Sequence, residues 1–335
     1  MSSRWSKAPV TSLLAVGVGL FCGCGEDSGS GGATPYEITY PAYFPNLVIP
    51  ADNPTTNEGI ALGRRLYYDP ILSNDGRRCG GCHDQKYGFT SPGSNILPHV
   101  NLGWSEHFLW NGKESGALED VMLFEVEDFF EADVTKLQNH PEYPQLFSAA
   151  FGAETITTGL AAKALAQFFR TQVSSNSKFD RFLRKEELLS PEEQHGFIIF
   201  NTEKGDCFHC HSLPLMTDNG FHNIGLDAAF EGEGEGRYAV TKNPADLGKW
   251  KTPTLRNVAI RGPYMHDGRF TSIEMVVDHY NAGVQPSPTL DPIMTKPGKE
   301  HGLKLTDQEK SALIAFLKTL TDDTFTSNPN LSDPF

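Results

Sequence analysis

Apolar residues recur at helical spacing in several stretches of the chain, and alternating strand patterns are scarce. Residues 58–68 are predicted to form a helix that ends at Asp69-Pro70, and residues 158–170 an amphipathic helix with one apolar side. Ser190 and Thr306 each begin a capping box, in which the capping side chain and a Glu three residues later satisfy free backbone N–H groups. Each box therefore predicts the start of a helix, and the pattern as a whole predicts an all-α protein.

Cysteine spacing gives the strongest chemical signal. Four of the six cysteines form two Cys-x-x-Cys pairs, and a His follows each pair directly. Cys-x-x-Cys-His is the attachment signature of c-type haem, in which both thiols bond to the haem and the His nitrogen binds the iron. A thioredoxin-like site needs no His and has a βαβ context, and a zinc site would not explain two adjacent His residues. The sequence therefore predicts two covalently bound haem c groups, held by Cys79, Cys82 and His83 and by Cys207, Cys210 and His211.

The chain repeats one plan, in which a helix, a haem motif, a loop and a helix follow each other. With a boundary near residue 189, each repeat is long enough to bury its own core. We expect an all-α fold of two cytochrome c-like domains, residues 41–189 and 190–335, each around one haem. Long irregular loops should remain, such as residues 220–250, which are rich in Gly and polar residues.

The charge excludes one class of partner. The formal net charge is −14, and the chain has no basic run. Nucleic-acid binding needs clustered Lys and Arg to neutralise phosphates, so the sequence argues against it. An acidic surface would instead suit a basic redox partner.

The N-terminus has the pattern of an export signal. Basic residues precede a mostly apolar stretch, residues 8–21, that is too short to span a bilayer. Cys24 follows Gly23, as in bacterial lipoprotein signals; an ordinary cleaved signal peptide is the alternative. We expect a signal peptide over residues 1–24, a flexible tether over residues 25–40, and a periplasmic protein with a lipid anchor at Cys24.

Several short segments carry a resemblance to a known family. They are LGRRLYYDP at residues 62–70, FLWNGK at 108–113, FHNIG at 221–225, KTPTLRNV at 251–258 and PYMHDG at 263–268. The chain resembles the bacterial di-haem cytochrome c peroxidases and the related MauG-type enzymes, which oxidise tryptophan residues on a partner protein. The resemblance runs from about residue 59 to residue 320 and implies an enzyme that reduces hydrogen peroxide.

The resemblance also implies roles between the two haems. Trp110 matches the tryptophan that relays electrons from one haem to the other. Asn95 and the backbone carbonyls of Arg261 and Pro263 match the ligands of a calcium ion, and oxygen donors suit calcium. From residue type alone, Trp110 would be a core residue and Asn95 a loop residue.

Beside the first haem, the family has a Glu that takes a proton from one peroxide oxygen and returns it to the leaving oxygen. Allowing for one extra residue within residues 114–118, its position in this chain is Glu131, and Glu127 is the alternative. On the far side of this iron, His99 is a candidate ligand and His107 a weaker one; an open iron is the other possibility.

For the second haem, the resemblance implies Tyr280 as the other iron ligand. MauG-type enzymes have Tyr at this position, whereas cytochrome c peroxidases have Met. The difference matters because a phenolate lowers the reduction potential of the iron and a Met raises it. Met265 and Met275 lie nearby in the sequence and remain alternative ligands.

Three functions are compatible with these residues. The first is a peroxidase that reduces hydrogen peroxide with electrons from a small cytochrome or copper protein, relayed through Trp110. The second is a MauG-like enzyme that uses peroxide to oxidise residues of a partner protein. The third is a non-enzymatic electron carrier, which would need neither Trp110 nor Glu131. The sequence favours the first.

Overall fold

The computed structural model describes residues 32–300 and 302–335, and their regular structure is mostly helical. The prediction of a helix-rich chain with few strands is confirmed. The helices are α1 Asn57–Tyr68, α2 Cys79–Cys82, α3 Leu118–Phe124, α4 Val134–Gln138, α5 Tyr143–Phe151, α6 Thr158–Thr171, α7 Lys178–Leu183, α8 Pro191–Phe200, α9 Tyr238–Thr241, α10 Ile273–Asp278, α11 Asp307–Lys318 and α12 Asp323–Thr326. The strands are β1 His107–Phe108, β2 Glu114–Ser115, β3 Phe221–His222 and β4 Trp250–Lys251. β1 pairs with β2 and β3 with β4, both antiparallel.

Side-chain caps set the first residues of the long helices. The Ser190 hydroxyl accepts the Glu193 N–H at 3.2 Å, and the Glu193 carboxylate accepts the Ser190 N–H at 2.7 Å. Thr306 forms the same box at the start of α11. At α1, Thr56 accepts the Gly59 N–H at 3.0 Å. Both predicted capping boxes are therefore confirmed. They satisfy backbone N–H groups that have no partner within the helix.

Two helix pairs carry the fold, α1 packed on α6 and α8 packed on α11. Each pair crosses at a buried glycine. A Cβ atom on Gly63 would overlap the backbone carbonyl of Ala164, and one on Gly196 would overlap that of Ala312. The two pairs thus use the same close contact, which only glycine permits.

Buried apolar side chains form two clusters. The first lies around α1, α3, α5 and α6, and the partly buried Cys79 packs against it. The second lies around α8, α10 and α11, and Cys207 packs against it. Phe325 and Leu331, from the C-terminal end, belong to the first cluster. Each haem motif therefore lies beside its own core, while the boundary near residue 189 stays a prediction.

Two short helices continue into π-helices. α3 is followed by a π-helix at Glu125–Phe129, and α10 by one at His279–Gly283. A π-helix is rare, and it often occurs at functional sites because it turns a side chain away from the regular helical position.

The expectations for the N-terminus fall largely outside the described residues. The signal peptide, the lipid anchor at Cys24 and the start of the tether lie within residues 1–31. Within residues 32–300 and 302–335, no helix has both the length and the apolar character needed to cross a membrane.

Candidate functional site

The first cavity, defined as the one lined by Cys79, Cys82 and His83, encloses about 450 Å³. The His83 Nδ1–H donates to the carbonyl oxygen of Phe89 at 2.9 Å. Burial lowers the pKa of His83 to about 4, so the ring is neutral at pH 7. Because Nδ1 holds the proton, the lone pair lies on Nε2, where it can bind a metal.

The second cavity, defined as the one lined by Cys207, Cys210 and His211, encloses about 200 Å³. The His211 Nδ1–H donates to the carbonyl oxygen of Met216 at 3.2 Å. Burial lowers the pKa of His211 to about 4, which leaves this imidazole neutral too. The two haem motifs therefore prepare their His side chains in the same way.

The donor groups of both cavities fit covalently bound haem. All four cysteines are free thiols. Burial raises the pKa of Cys79 well above its usual range and that of Cys207 to about 12, so both are neutral at pH 7. Each cavity thus offers two thiols, one imidazole lone pair and apolar walls, as a haem c needs.

Trp110 lines both cavities. Its indole N–H donates to the backbone carbonyl of Asn95. Its own carbonyl accepts the Lys251 N–H at 2.8 Å. The structure therefore fixes the indole through its N–H and the backbone through its carbonyl, in the wall between the two motifs.

Tyr280 lies in the second cavity with His211. It is the second residue of the π-helix that follows α10. Burial, with smaller effects from Cys210 and Cys207, raises the pKa of its phenol well above the usual range. Met265 also lines this cavity, whereas the side chain of Met275 is 42% exposed and does not.

Asn95, Arg261 and Pro263 all line the second cavity. The Asn95 side-chain amide donates to the backbone carbonyl of His266. Arg261 donates to the carbonyl of Thr254, and burial lowers its pKa to about 10. The three residues that the resemblance implies for calcium therefore line one cavity, and the calcium site stays a prediction.

Glu131 and Glu127 lie apart from both cavities. Glu131 is exposed, and its backbone carbonyl accepts a hydrogen bond from Asn74 at 2.8 Å. Glu127 is also exposed, and its carboxylate accepts the hydroxyl of Thr158 at 2.7 Å. Among the described residues, neither carboxylate lines the first cavity.

Glu125 lines the first cavity instead. Burial and the nearby Glu114 raise its pKa to about 7, while Arg77 acts in the opposite direction. The sequence contains a signal that could have found it. Leu118, Val121, Met122 and Glu125 share one face of a helix, so a carboxyl group stands on an otherwise apolar face.

His99 packs against His83 inside the first cavity. The two rings are stacked, with centroids 3.4 Å apart and planes 14° apart, and the Tyr67 hydroxyl lies 3.1 Å from Nδ1 of His99. His107 also lines this cavity, and its Nδ1 is buried without a partner among the described residues.

Comparison with known proteins gives one consistent result. Residues 57–188 match the family model for di-haem cytochrome c peroxidase. The methylamine utilization protein MauG of Methylorubrum extorquens is 35% identical over 291 residues, which cover 81% of this chain and 80% of that protein. A cytochrome-c peroxidase of Pseudomonas sp. strain SCT is 32% identical over 330 residues, covering 84% and 85%.

Solved structures agree with these relatives. The crystal structure of a MauG-like protein associated with microbial copper homeostasis matches with a TM-score of 0.80 and 31% identity, covering 89% of this chain and 99% of that one. The diheme peroxidase BthA from Burkholderia thailandensis, 19% identical with a TM-score of 0.67, shares the fold. This chain belongs to the di-haem cytochrome c peroxidase and MauG family and is a peroxidase-type oxidoreductase with haem as its cofactor.

Proposed function

We propose that this protein reduces hydrogen peroxide to water in the first cavity, with electrons that reach it from a small cytochrome or copper protein through the second cavity and Trp110. One observation carries the proposal. The Glu125 carboxyl group and the His83 imidazole line the first cavity, and Trp110 lines both the first and the second cavity. When bound, the haems supply the redox-active iron at His83 and at His211.

Glu125 is the acid/base residue of this proposal. With a pKa of about 7, its carboxyl group populates both protonation states at neutral pH, so it can accept a proton from one peroxide oxygen and donate it to the other. Glu131 is the residue at the family position, and it stays the alternative. Its position favours Glu125, because Glu131 is exposed and lines neither cavity, whereas Glu125 lines the cavity of His83.

Trp110 is the relay residue. An indole is a large oxidisable ring, and this one is fixed by the Asn95 carbonyl on its N–H and by Lys251 on its backbone. The hydrogen bond gives the indole proton a defined place while the ring passes electrons. A relay must hold one orientation to serve both cavities.

Tyr280 and His211 are the two protein ligands that we assign to the second iron. Both side chains line the same cavity. In the first cavity we assign His83 alone as an iron ligand, so peroxide would react there. The two cavities would then have different tasks.

The remaining expectations complete the proposal. Two cytochrome c-like domains, residues 41–189 and 190–335, would each hold one haem. A calcium ion would lie at Asn95 and the carbonyls of Arg261 and Pro263. The protein would be exported to the periplasm and anchored by lipid at Cys24.

A second candidate is a MauG-like enzyme that uses peroxide to oxidise residues of a partner protein. Tyr280 favours it, because the resemblance assigns Tyr to MauG-type enzymes at this position. MauG of Methylorubrum extorquens, at 35% identity, is a relative with that name. The chemistry of the first cavity would be the same in both cases.

Turnover assays test the proposal. The haem-loaded protein is mixed with hydrogen peroxide and reduced cytochrome c, and oxidation of the cytochrome is followed by absorption. Steady, peroxide-dependent oxidation supports the first candidate. Fast reaction with peroxide but no turnover with cytochrome c or a copper protein favours the second. No reaction with peroxide would leave the electron carrier and contradict both.

A further inference from the structure

A second tryptophan of the two cavities, Trp250, has no role in the site described above. It belongs to β4, which pairs with β3 so that Trp250 lies opposite His222. Its side chain lines the second cavity with His211 and Tyr280, and it is partly exposed to solvent. Trp250 therefore reaches from this cavity to the surface.

The ring of Trp250 is stacked on that of His266. The centroids are 3.8 Å apart and the planes differ by 11°. Two parallel aromatic rings in contact provide a polarisable surface, which stabilises positive charge on the indole when an electron leaves it. The residue is thus placed and supported as an oxidisable group.

The indole N–H groups of Trp104, Trp110 and Trp250 differ in their hydrogen bonds. Trp110 donates to the carbonyl of Asn95, and Trp104 donates to that of Pro45 at 2.8 Å. The indole N–H of Trp250 makes no hydrogen bond within residues 32–300 and 302–335. An oxidised indole is far more acidic than the neutral ring, so Trp250 can release its proton to solvent and regain it on reduction, whereas the N–H of Trp110 donates to the Asn95 carbonyl.

A short segment beside β4, residues 231–235, carries three acidic side chains and no basic one. Gly236 bridges to Lys249, and the Gly248 N–H donates to the carbonyl of Glu235 at 3.0 Å, so the segment at residues 231–235 lies alongside β4. Its three carboxylates, those of Glu231, Glu233 and Glu235, form no ion pair within the described part of the chain. Unpaired negative charge favours a donor with a basic contact surface.

We propose that Trp250 is the residue through which electrons from a basic donor protein pass into the second cavity. The inference rests on the proposed peroxidase function. Each peroxide takes two electrons and two protons and yields two waters. The Trp250 indole first passes one electron into the second cavity and is thereby oxidised. A donor molecule then returns one electron to it, so two donor molecules serve each peroxide, and the protons come from solvent.

Three single variants of the haem-loaded protein test this proposal, W250F, W250Y and the control Y238F. Tyr238 is an oxidisable ring at the same surface that does not line the cavity and stacks with Lys242 at 5.3 Å. Stopped-flow absorption measures the oxidation of reduced basic cytochrome c, and separately the reaction with peroxide alone. Peptide mass spectrometry after peroxide without donor identifies oxygenated residues.

We expect W250F to slow cytochrome c oxidation about tenfold or more, W250Y to recover most of the rate, and Y238F to match the wild type. The reaction with peroxide alone should be unchanged in Y238F, and in W250F it should change much less than cytochrome c oxidation does. Residue 250 should be a main site of oxygenation in the wild type. Cytochrome c oxidation by W250F at the wild-type rate, or no oxygenation at Trp250, would overturn the proposal. Failure of the wild type to react with peroxide would instead overturn the proposed function.

Discussion

The two cavities are built on the same helical pattern, which carries a different polar group in each. In each, three apolar side chains and one polar side chain share a helix face, and the polar one lies where the α-helix becomes a π-helix. The two sets are Leu118, Val121, Met122 and Glu125 in the first half, and Ile273, Val276, Val277 and Tyr280 in the second. The repeat places a carboxyl group in one cavity and a phenol in the other.

This difference shows how one scaffold can serve two tasks. The His side chains are held alike, by bonds of 2.9 and 3.2 Å to backbone carbonyls. A carboxyl group with a pKa of about 7 can exchange protons at neutral pH. A buried phenol, whose pKa is raised further, retains its proton unless a metal takes its place. The carboxyl group of the first cavity is therefore suited to proton transfer, and the phenol of the second cavity to metal ligation.

The largest effect should come from removing the carboxyl group of the first cavity. We expect E125Q to slow the reaction with peroxide by about 10²–10⁴-fold, the usual contribution of a general acid/base. Stopped-flow absorption of the haem-loaded protein measures it. E131Q is the matched control and should react like the wild type; a slow E131Q with a fast E125Q would restore the family position.

The pH dependence should follow the same group. Because Glu125 must first accept a proton, its ionised form is the active one, and the rate should rise with pH and level off above about pH 7. Below that value we expect a loss of about tenfold per pH unit. The profile is measured between about pH 5 and pH 9. An inflection that persists in E125Q would assign the titration to another group.

The E125Q and pH predictions both depend on a residue that we did not identify from the sequence, while other features could be predicted. The capping boxes at Ser190 and Thr306 could be found because their hydrogen bonds are local. The two Cys-x-x-Cys-His motifs could be found because covalent haem attachment requires that spacing. Counting residues after Trp110 leads to Glu131 and passes over Glu125. The sequence signal for Glu125 is its place on the apolar face of α3, and its position in the cavity depends further on the π-helix and on the packing of α3.

Tyr280 tests the second cavity. We expect Y280F to change the absorption and EPR signals of one haem only, and to shift its reduction potential upward, because a phenolate ligand lowers that potential. The reaction of the first cavity with peroxide should change about tenfold at most. If both haem signals stay as in the wild type, Tyr280 is not a ligand, and Met265 becomes the next candidate.

The shared helix crossing predicts equal stability effects in the two halves. G63A and G196A should each destabilise the protein by about 1–3 kcal/mol, because the added methyl group meets a backbone carbonyl. Thermal unfolding followed by circular dichroism measures this. G159A is the control: a Cβ there would make one ordinary contact, with the Thr157 hydroxyl at 3.9 Å, so it should be neutral or stabilising by up to about 1 kcal/mol. Loss of stability in only one of the two crossing variants would break the equivalence.

The smallest effect is expected at His99. H99F keeps a ring beside His83 and removes the nitrogen, so the resting EPR spectrum should keep the spin state of the wild type. A change from low spin to high spin in H99F would show that His99 ligates the first iron.

The most direct test of the central claim is an EPR titration of the resting, haem-loaded protein with hydrogen peroxide. The two cavities are proposed to differ in access, the first open and the second closed by His211 and Tyr280. A high-spin signal from one haem should therefore be lost with about one equivalent of peroxide, and E125Q should retain it for much longer. Two low-spin signals that do not respond to peroxide, or equal reaction of both haems, would contradict the account.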